Sequence, residues 1–303
     1  MSKSNIRVFI LSAVHNDLTY TKKFLKSINN QTYSSMEIII VDDGSSDGTK
    51  EFINDKYPIV KLLIDDGNLW WTGSLVKGIN NILQTAKHND YILTINSDCE
   101  VKRDFVTNLV NSASGHPLSI IGSTIIDIKT KKIADAGVTI DWKTGKFSQK
   151  LPAGDTRYIS SEFLSTKGVI FPIQVFKKIG NFNHKQLPHY LSDYEFSCRA
   201  RKAGYRLLVD TKSIVYNYIN RTGMGNKIPP VISLKEFIDL LFSRKSRQNI
   251  IDHFHFIKTC CPRKFKLKNY LIILIKTFYL LTNIGLVGKL TIPIKKLFTN
   301  KSF

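Results

Sequence analysis

The chain has 303 residues, of which 43% are hydrophobic, 11% aromatic and 22% charged. This composition is typical of a globular protein with a sizeable core, and it excludes a disordered chain, a collagen and a coiled-coil rod. The 44 Lys and Arg residues exceed the 24 Asp and Glu residues by 20, and residues 241–303 alone hold 13 basic residues against one acid. A basic segment of this kind is typical of a protein that binds nucleic acid, of one that binds an anionic membrane surface, or of one in which the charge serves only solubility.

Apolar runs alternate with amphipathic stretches through the first half of the chain. The pattern predicts strands at 8–11, 37–41, 60–64 and 91–95, and helices at 19–31, 49–56 and 73–86. Buried strands separated by helices form βαβ units, so we predict an α/β fold with a mostly parallel central sheet and helices on both faces.

The second half has a different pattern. It predicts β-rich stretches at 119–126, 132–142 and 162–171, a helix at 192–203 and a basic helical region from residue 232. We therefore expect a catalytic or binding domain over residues 1–230, with halves at 1–115 and 116–230, followed by a helical C-terminal region over 231–303.

Polar residues follow each of the first predicted strands. The four loops read AVHN from residue 13, DDGS from residue 42, NLWWTG from residue 68 and NSD from residue 96. Ligands of open parallel sheets bind beyond the carboxyl ends of the strands, where these loops would meet. Neither the glycine pattern of a dinucleotide site nor that of a P-loop occurs, so both of those classes are unsupported.

Four motifs in order resemble family 2 glycosyltransferases: VDDGSSDGT, NLWWTGSLVKGIN, NSD and, later, SDYEFSCRARKAG. The resemblance extends from about Arg7 to Tyr218. It implies the GT-A fold and an inverting transfer of sugar from a nucleoside-diphosphate donor. Together with the basic C-terminal region, the resemblance implies a role in bacterial O-antigen or capsule synthesis.

The resemblance assigns Asp43 to the base or ribose of the nucleotide and His15 to stacking on the base. One ring of the Trp70–Trp71 pair is expected to line the sugar pocket, because the C–H faces of sugars pack on aromatic rings. The residue types alone leave simpler roles open, namely a Gly/Asp turn, a surface histidine and a core tryptophan. The expected donor site comprises Ala13, His15, Asp43, Asn68, Trp71, Gly73, Asn96, Ser97 and Gly168.

The NSD tripeptide occupies the position of the family's DxD motif. A diphosphate leaving group requires a cation, and hard divalent cations prefer oxygen ligands. The resemblance makes Asp98 the direct ligand of Mn²⁺ or Mg²⁺, whereas Asn96 departs from the family's acid. Asn217 stands where the family often has a histidine ligand, so we expect weaker metal binding.

The SDYEFSCRARKAG motif carries the expected catalytic residue. By resemblance Asp193 is the general base that removes the proton of the acceptor hydroxyl. An acid in the first turn of a helix is also explained by the helix dipole alone. Glu195 and Arg199 are spaced as an i, i+4 ion pair on that helix.

The most apolar stretch of the chain is Tyr270–Gly288. It is interrupted by Lys276 and Asn283, which share a helical face with Asn269. We predict a helix in the membrane interface, with a helix packed on the protein and a membrane-spanning helix as alternatives. Anionic headgroups would meet the basic residues Arg263, Lys264, Lys266, Lys268, Lys295 and Lys296.

The sequence thus predicts a glycosyltransferase that acts on a glycan acceptor, which we expect to be lipid-linked, and that binds no nucleic acid. Four cysteines without CxxC spacing and an N-terminus without a signal-like apolar run favour the cytoplasm, on the inner face of the cell membrane. The alternatives are a nucleotidylyltransferase of related fold and a basic nucleic-acid-binding protein.

Overall fold

The structure is a computed structural model that describes residues 6–219 and 232–282. The chain divides into two compact units. The first comprises Met1–Ile140 and Phe147–Arg221, and the second comprises Asp141–Lys146 and Thr222–Phe303. All four cysteines are free and buried, in agreement with the expected absence of disulfides.

The first unit is built on one large sheet. Its strands are β1 (Val8–Val14), β2 (Met36–Asp43), β3 (Lys61–Asp65), β4 (Tyr91–Thr94), β5 (Cys99–Val101), β6 (Ser119–Asp127), β7 (Ile133–Asp135), β10 (Tyr158–Ser160), β11 (Val169–Pro172) and β12 (Arg206–Asn217). A separate two-stranded sheet joins β8 (Val138–Asp141) to β9 (Lys146–Gln149).

Six helices belong to the first unit. They are α1 (Leu18–Asn29), α2 (Thr49–Lys56), α3 (Trp70–Leu83), α4 (Phe105–Gly115), α5 (Ile173–Ile179) and α6 (Ser192–Lys202). Two apolar clusters, one containing Phe24 and Phe105 and the other containing Leu75 and Phe196, form the core. β1 is buried at every position, as expected of a strand covered on both faces.

The main path of the sheet runs β10-β12-β6-β11-β4-β1-β2-β3. Neighbours pair in parallel from β4 through β1 and β2 to β3, and β6 pairs in parallel with β12. β11 lies between these two groups and is antiparallel to both β4 and β6. The amino end of β11 therefore lies at the edge where the parallel strands have their carboxyl ends.

The second unit contains α7 (Leu234–Phe242), α8 (Ile250–Cys260), a short 3₁₀ turn (Arg263–Phe265) and α9 (Lys266–Leu281). Its core includes Phe237, Leu240, Leu241 and Leu280. Within the described ranges, no helix is long and apolar enough to cross a bilayer.

The position of Asn269 contradicts the prediction that this residue lies on a polar, headgroup-facing side of the C-terminal helix. It is buried, and its amide donates to the carbonyl of Trp142 at 2.8 Å and to that of Phe265 at 3.0 Å. Its face of α9 therefore packs inside the second unit instead of facing headgroups. Residues 283–288 of the predicted interface segment, together with Lys295 and Lys296, lie outside the described residues.

The predicted α/β architecture is confirmed, and the large sheet is mixed, with four parallel and five antiparallel pairings among the described strands. α2 has the predicted bounds, whereas α3 begins at Trp70, three residues earlier than expected. α4 and α5 were not predicted. The division expected at residue 230 falls among residues that the structure does not describe.

Candidate active site

Loops from both halves of the first unit meet at one edge of the sheet. The carboxyl ends of β1, β2 and β4 deliver His15, Asp43 and Asn96, as the sequence predicted. The reversed strand β11 brings Lys167 and Gly168 to the same edge, because Gly168 donates its amide to the carbonyl of Thr94 at 2.9 Å.

Asp43 links the second strand to the third helix. Its two carboxylate oxygens accept from the backbone amides of Leu69 at 3.1 Å and Trp70 at 2.8 Å. These amides belong to the first turn of α3, where backbone donors have no partner within the helix. The carboxylate still has lone pairs to offer a ligand, so the expected contact with the nucleotide stays a prediction.

The loop after β1 is bound to the loop after β2. His15 is exposed, and its Nδ1 donates to the carbonyl oxygen of Asp43. Because Nδ1 carries the proton, the neutral ring has Nε2 as its acceptor, 3.2 Å from the Asn16 amide nitrogen. Asn16 in turn accepts from the amide of Ser46 at 2.8 Å. The histidine ring is thus held at the mouth of the site, where it was expected to stack on a base.

The first turn of α3 carries both neighbouring tryptophans. Trp70 adopts a left-handed backbone with φ of 59°, a conformation that is strained for a residue with a side chain. Trp71 is half-buried, and its indole Nε1 donates to the hydroxyl of Thr166 at 3.1 Å. Gly73 is a buried position inside the helix, and Asn68 is exposed just before the helix. The indole ring of Trp71 therefore lies beside the segment that leads into β11.

The NSD segment meets the end of β12. Asn217 is fully buried and donates its amide to the Asp98 side chain at 2.9 Å and to the Asp98 carbonyl at 3.1 Å. Ser97 is buried beside it, with its hydroxyl 3.4 Å from the Asp17 carboxylate. The amide oxygen of Asn96 is buried and has no hydrogen-bond partner in the described structure. A buried acceptor without a hydrogen bond costs folding free energy, so this oxygen is well placed to bind a cation or a hydrogen-bond donor.

These residues fit a divalent cation. Asp98 and Asn96 offer one carboxylate and one free amide oxygen. Mg²⁺-type ions in such sites use one or two protein oxygens and take the rest from phosphates and water. Asn217 turns its nitrogen toward Asp98 and so adds no ligand there.

A second acidic group lies elsewhere at the strand ends. Among the described residues, Asp43, Asp65 and Asp66 bring carboxylate oxygens within 4.8 Å of one another. Asp43 accepts hydrogen bonds from the amides of Leu69 and Trp70, and Asp65 forms an ion pair with Lys77 at 2.6 Å. This group is explained by those contacts without a metal.

Gly168 has a φ of 75°, and a Cβ there would lie 2.5 Å from a methyl group of Val215 and 3.0 Å from the Ser123 hydroxyl. The glycine is thus required by packing beneath the sheet edge. The expected place of Gly168 in the donor site stays a prediction.

Asp193 lies in the first turn of α6, at the same edge. Leu191, the residue before α6, has a strained left-handed φ of 61°, and the first turn of α6 is tied to α3 by a 2.8 Å hydrogen bond from Thr72 to Ser192. Burial raises the pKa of Asp193 to about 6, and the nearby carboxylate of Asp135 adds to the rise while Lys167 opposes it. Perturbed carboxyls of this kind are typical of acid–base sites.

Asp135 is a site residue that the sequence analysis missed. Its carboxylate accepts from the Gly137 amide at 2.8 Å and from the Ser165 hydroxyl at 3.0 Å, and burial raises its pKa. In the sequence it resembles an ordinary turn aspartate two residues before a glycine. Only the fold brings it close to Asp193.

The predicted ion pair on α6 is present and mostly buried. Glu195 meets Arg199 through two hydrogen bonds of 2.8 and 2.9 Å. Arg199 also donates to the carbonyl of Ile179, the last residue of α5, and to that of Asn181, two residues further on. This pair anchors the helix that carries Asp193.

The sheet order, the antiparallel strand β11 in its centre and the polar loops at one edge define the GT-A fold of nucleotide-sugar transferases. The chain is similar to GalNAc-T7, solved with UDP, GalNAc and Mn²⁺, with a TM-score of 0.58 and 16% identity over 92% of this chain and 58% of that one. It is also similar to S. aureus TarS 1-349 in complex with UDP-GlcNAc, with a TM-score of 0.58 and 12% identity over 89% of this chain and 72% of that one. At these identities the likeness establishes the fold, and the predicted GT-A fold is confirmed.

The sequence model of the family described as Glycosyl transferase family 2 matches residues 9–179, more than half of the chain. The chain therefore belongs to glycosyl transferase family 2, as the motifs implied. It is 31% identical over 107 residues to glycosyltransferase GlyA of Streptococcus pneumoniae, a match that covers 34% of this chain and only 14% of GlyA.

Proposed function

We propose that this protein is an inverting glycosyltransferase that moves a sugar from a nucleoside-diphosphate donor to a glycan acceptor. The observation that carries the proposal is the half-buried Asp193, with its carboxyl pKa raised to about 6, at the sheet edge that also holds Asp98 and His15. A base and a diphosphate site on one edge are what a displacement at an anomeric carbon requires.

In the proposed reaction the acceptor hydroxyl gives its proton to Asp193 and attacks the anomeric carbon. The bond from that carbon to the diphosphate oxygen breaks at the same time, and the nucleoside diphosphate leaves with the electron pair. Attack from the side opposite the leaving group inverts the configuration. A carboxylate with a pKa near 6 is charged at neutral pH and is a stronger base than an exposed aspartate.

Asp98 and Asn96 would hold a divalent cation, Mn²⁺ or Mg²⁺, which supplies positive charge to the diphosphate. The likeness to an Mn²⁺-containing neighbour and the unpartnered oxygen of Asn96 support this assignment. We further propose that His15 and Asp43 contact the nucleotide and that Trp71 borders the sugar.

The acceptor is proposed to be lipid-linked, in the synthesis of a bacterial surface polysaccharide, and the protein to lie on the cytoplasmic face of the membrane. The second unit supports this proposal. Leu267, Leu271, Leu274 and Phe278 recur at helical spacing along α9 and are between 48% and 73% exposed. Exposed basic residues accompany them at Arg263, Lys264, Lys268 and Lys276. An apolar stripe with basic neighbours is typical of interfacial helices.

The proposed reaction is tested with a panel of UDP-, dTDP- and GDP-sugars and candidate glycan acceptors. We expect acceptor-dependent release of the nucleoside diphosphate from one donor class and a product of inverted anomeric configuration by NMR. Release of pyrophosphate from a nucleoside triphosphate and a sugar phosphate would instead indicate a nucleotidylyltransferase. Salt-dependent binding of nucleic acid with no donor turnover would indicate a basic binding protein.

A further inference from the structure

Lys167 places a positive charge at the candidate active site. It directly precedes β11, whose antiparallel course brings its start to the ligand-binding edge. The Gly168 amide bonds to the Thr94 carbonyl, and Thr94 is two residues before Asn96. The backbone of Lys167 is therefore fixed beside the NSD segment, and its half-buried side chain starts from a well-defined point.

The ammonium group is held by a neutral partner. Its Nζ lies 3.1 Å from the amide oxygen of Asn217, whose nitrogen donates to Asp98. The two ends of the Asn217 amide thus join Lys167 to Asp98 in one chain of hydrogen bonds. Within residues 6–219 and 232–282, Lys167 makes no ion pair with a carboxylate. An ammonium has three donors, so two are available to a ligand.

The positive charge of Lys167 acts on the acids around Asp193 and also lies near Asp98. It lowers the pKa of Asp135 and of Asp193, against the effect of burial. On its other side, one amide separates it from Asp98. An anionic group bound beside Asp98 on the path toward Asp193 would therefore lie close to this ammonium.

The proposed reaction creates charge at that location. When the glycosidic bond of the donor breaks, the leaving diphosphate gains one negative charge. The protein's contribution to a metal at this place is a single carboxylate, Asp98, with the neutral oxygen of Asn96. A fixed lysine is a common phosphate ligand, and in a site shielded from water it stabilises developing charge strongly.

We infer that Lys167 binds the diphosphate of the donor directly and supplies a positive charge in addition to the cation at Asp98, so that nucleoside diphosphate binds even without metal. This inference rests on the proposed function, since it assigns a residue to the same donor site. Lys167 then contributes to both ground-state binding and departure of the diphosphate.

The test measures binding of UDP, GDP, dTDP and CDP to the full chain by calorimetry, with Mn²⁺ and in excess EDTA. We expect one of these to bind in both conditions. Lys167→Met should weaken its binding in EDTA by about 10- to 100-fold, the usual effect of losing a charge-assisted hydrogen bond. Lys167→Arg should retain most of the affinity because it keeps the charge.

Two controls separate a phosphate contact from a structural role. The matching nucleoside, without phosphates, should bind Lys167→Met and the wild type equally. Lys87→Met removes an exposed lysine before β4, at the opposite edge of the sheet, and should leave all affinities unchanged.

The outcomes are distinct. The inference is wrong if Lys167→Met binds the diphosphate in EDTA within about twofold of wild type, if the wild type binds it only with Mn²⁺, or if nucleoside binding falls equally. None of those results would affect the proposed transferase activity. If none of the four diphosphates binds the wild type in either condition, the proposed function itself fails, and this inference fails with it.

Discussion

At the residue scale, burial of Asp193 favours its neutral carboxyl, whereas its proposed role as general base requires the ionised carboxylate. Its carboxyl is enclosed by protein, which raises its pKa to about 6, yet Lys167 and the Tyr194 amide at 2.8 Å both favour the ionised form. These opposing effects leave a carboxyl that is mostly ionised at pH 7, as the proposed role of general base requires. The pH dependence and the substitutions below follow from this balance.

Asp193→Asn should abolish sugar transfer while donor binding stays nearly unchanged. The amide keeps the size and polarity of the side chain but cannot accept the hydroxyl proton, and loss of a general base typically costs about 10²–10⁴-fold in rate. Turnover and donor affinity would be measured side by side. Asp155→Asn, at an exposed position, is the matched control and should behave as wild type. Near wild-type turnover by Asp193→Asn would exclude this residue as the base.

The rate should fall as the pH drops through about 6, because the base acts only when deprotonated and the pKa of Asp193 is raised to about 6. Asp135→Asn should shift this acid limb to lower pH, since removing a nearby negative charge makes ionisation of Asp193 easier. The measurement is a profile of kcat against pH for both proteins. An identical limb in the two would show that Asp135 does not act on the titrating group.

Single residues also show where sequence reasoning reaches its limit. The placement of Asp98, Asp193 and the polar loops at one edge of the sheet was predictable because their motifs are contiguous in the chain. The closeness of Asp135 to Asp193, and the reason why residue 168 must be glycine, were not predictable, because each depends on neighbours far away in sequence. Gly168 is required by Val215 and Ser123, which no local pattern reveals.

At the scale of elements, α6 is positioned by its buried ion pair. Arg199 pairs with Glu195 and also donates to two carbonyls, one at the end of α5 and one just after it, so the helix cannot shift without losing several charged hydrogen bonds. Glu195 is nearly inaccessible to water. Such a pair fixes geometry more than it adds stability.

Arg199→Met should destabilise the protein by about 3–5 kcal/mol, because it leaves the Glu195 carboxylate buried without its partner. Adding Glu195→Gln should recover part of that loss. The measurement is the thermal or urea midpoint of each variant. Lys77→Met, which breaks the more exposed pair with Asp65, should cost about 1 kcal/mol or less. Equal losses of unfolding free energy in the Arg199 and Lys77 variants would show that the Glu195–Arg199 pair is no more important for stability than an exposed pair.

Element boundaries show the same dependence on distant residues. α2 was predicted at its observed bounds because a local Gly-containing turn starts it. α3 begins three residues earlier than expected because Asp43, 26 residues upstream, accepts the amides of Leu69 and Trp70. The fold class was predictable from strand and helix periodicity, whereas this capping contact was not.

At the scale of the whole molecule, charge and apolar surface are concentrated in the C-terminal part of the chain. The sequence correctly indicated a basic helix there, but it assigned Asn269 to the solvent-facing side. The structure buries Asn269 and exposes Leu271 and Phe278 instead. The apolar residues that periodicity would assign to a core thus form the open surface of α9.

The exposed face of α9 should bind anionic vesicles. Apolar burial supplies a part of the affinity that salt does not screen, and each nearby Lys or Arg adds about 1 kcal/mol that salt does screen. The full chain should therefore sediment with anionic vesicles, bind neutral vesicles more weakly and be partly released at high salt.

Point substitutions test the surface better than removal of the helix, because Leu280 of α9 belongs to the core of the second unit. Leu271→Ser combined with Phe278→Ser should reduce the sedimented fraction at every salt concentration, whereas Lys268→Gln should reduce it mainly at low salt. Ile59→Ser, at an apolar residue of the first unit that is 80% exposed, controls for general loss of hydrophobic surface. If the α9 double variant and the Ile59 variant sediment equally with anionic vesicles, α9 is not the membrane-binding surface, and the proposed location of the enzyme loses its physical basis.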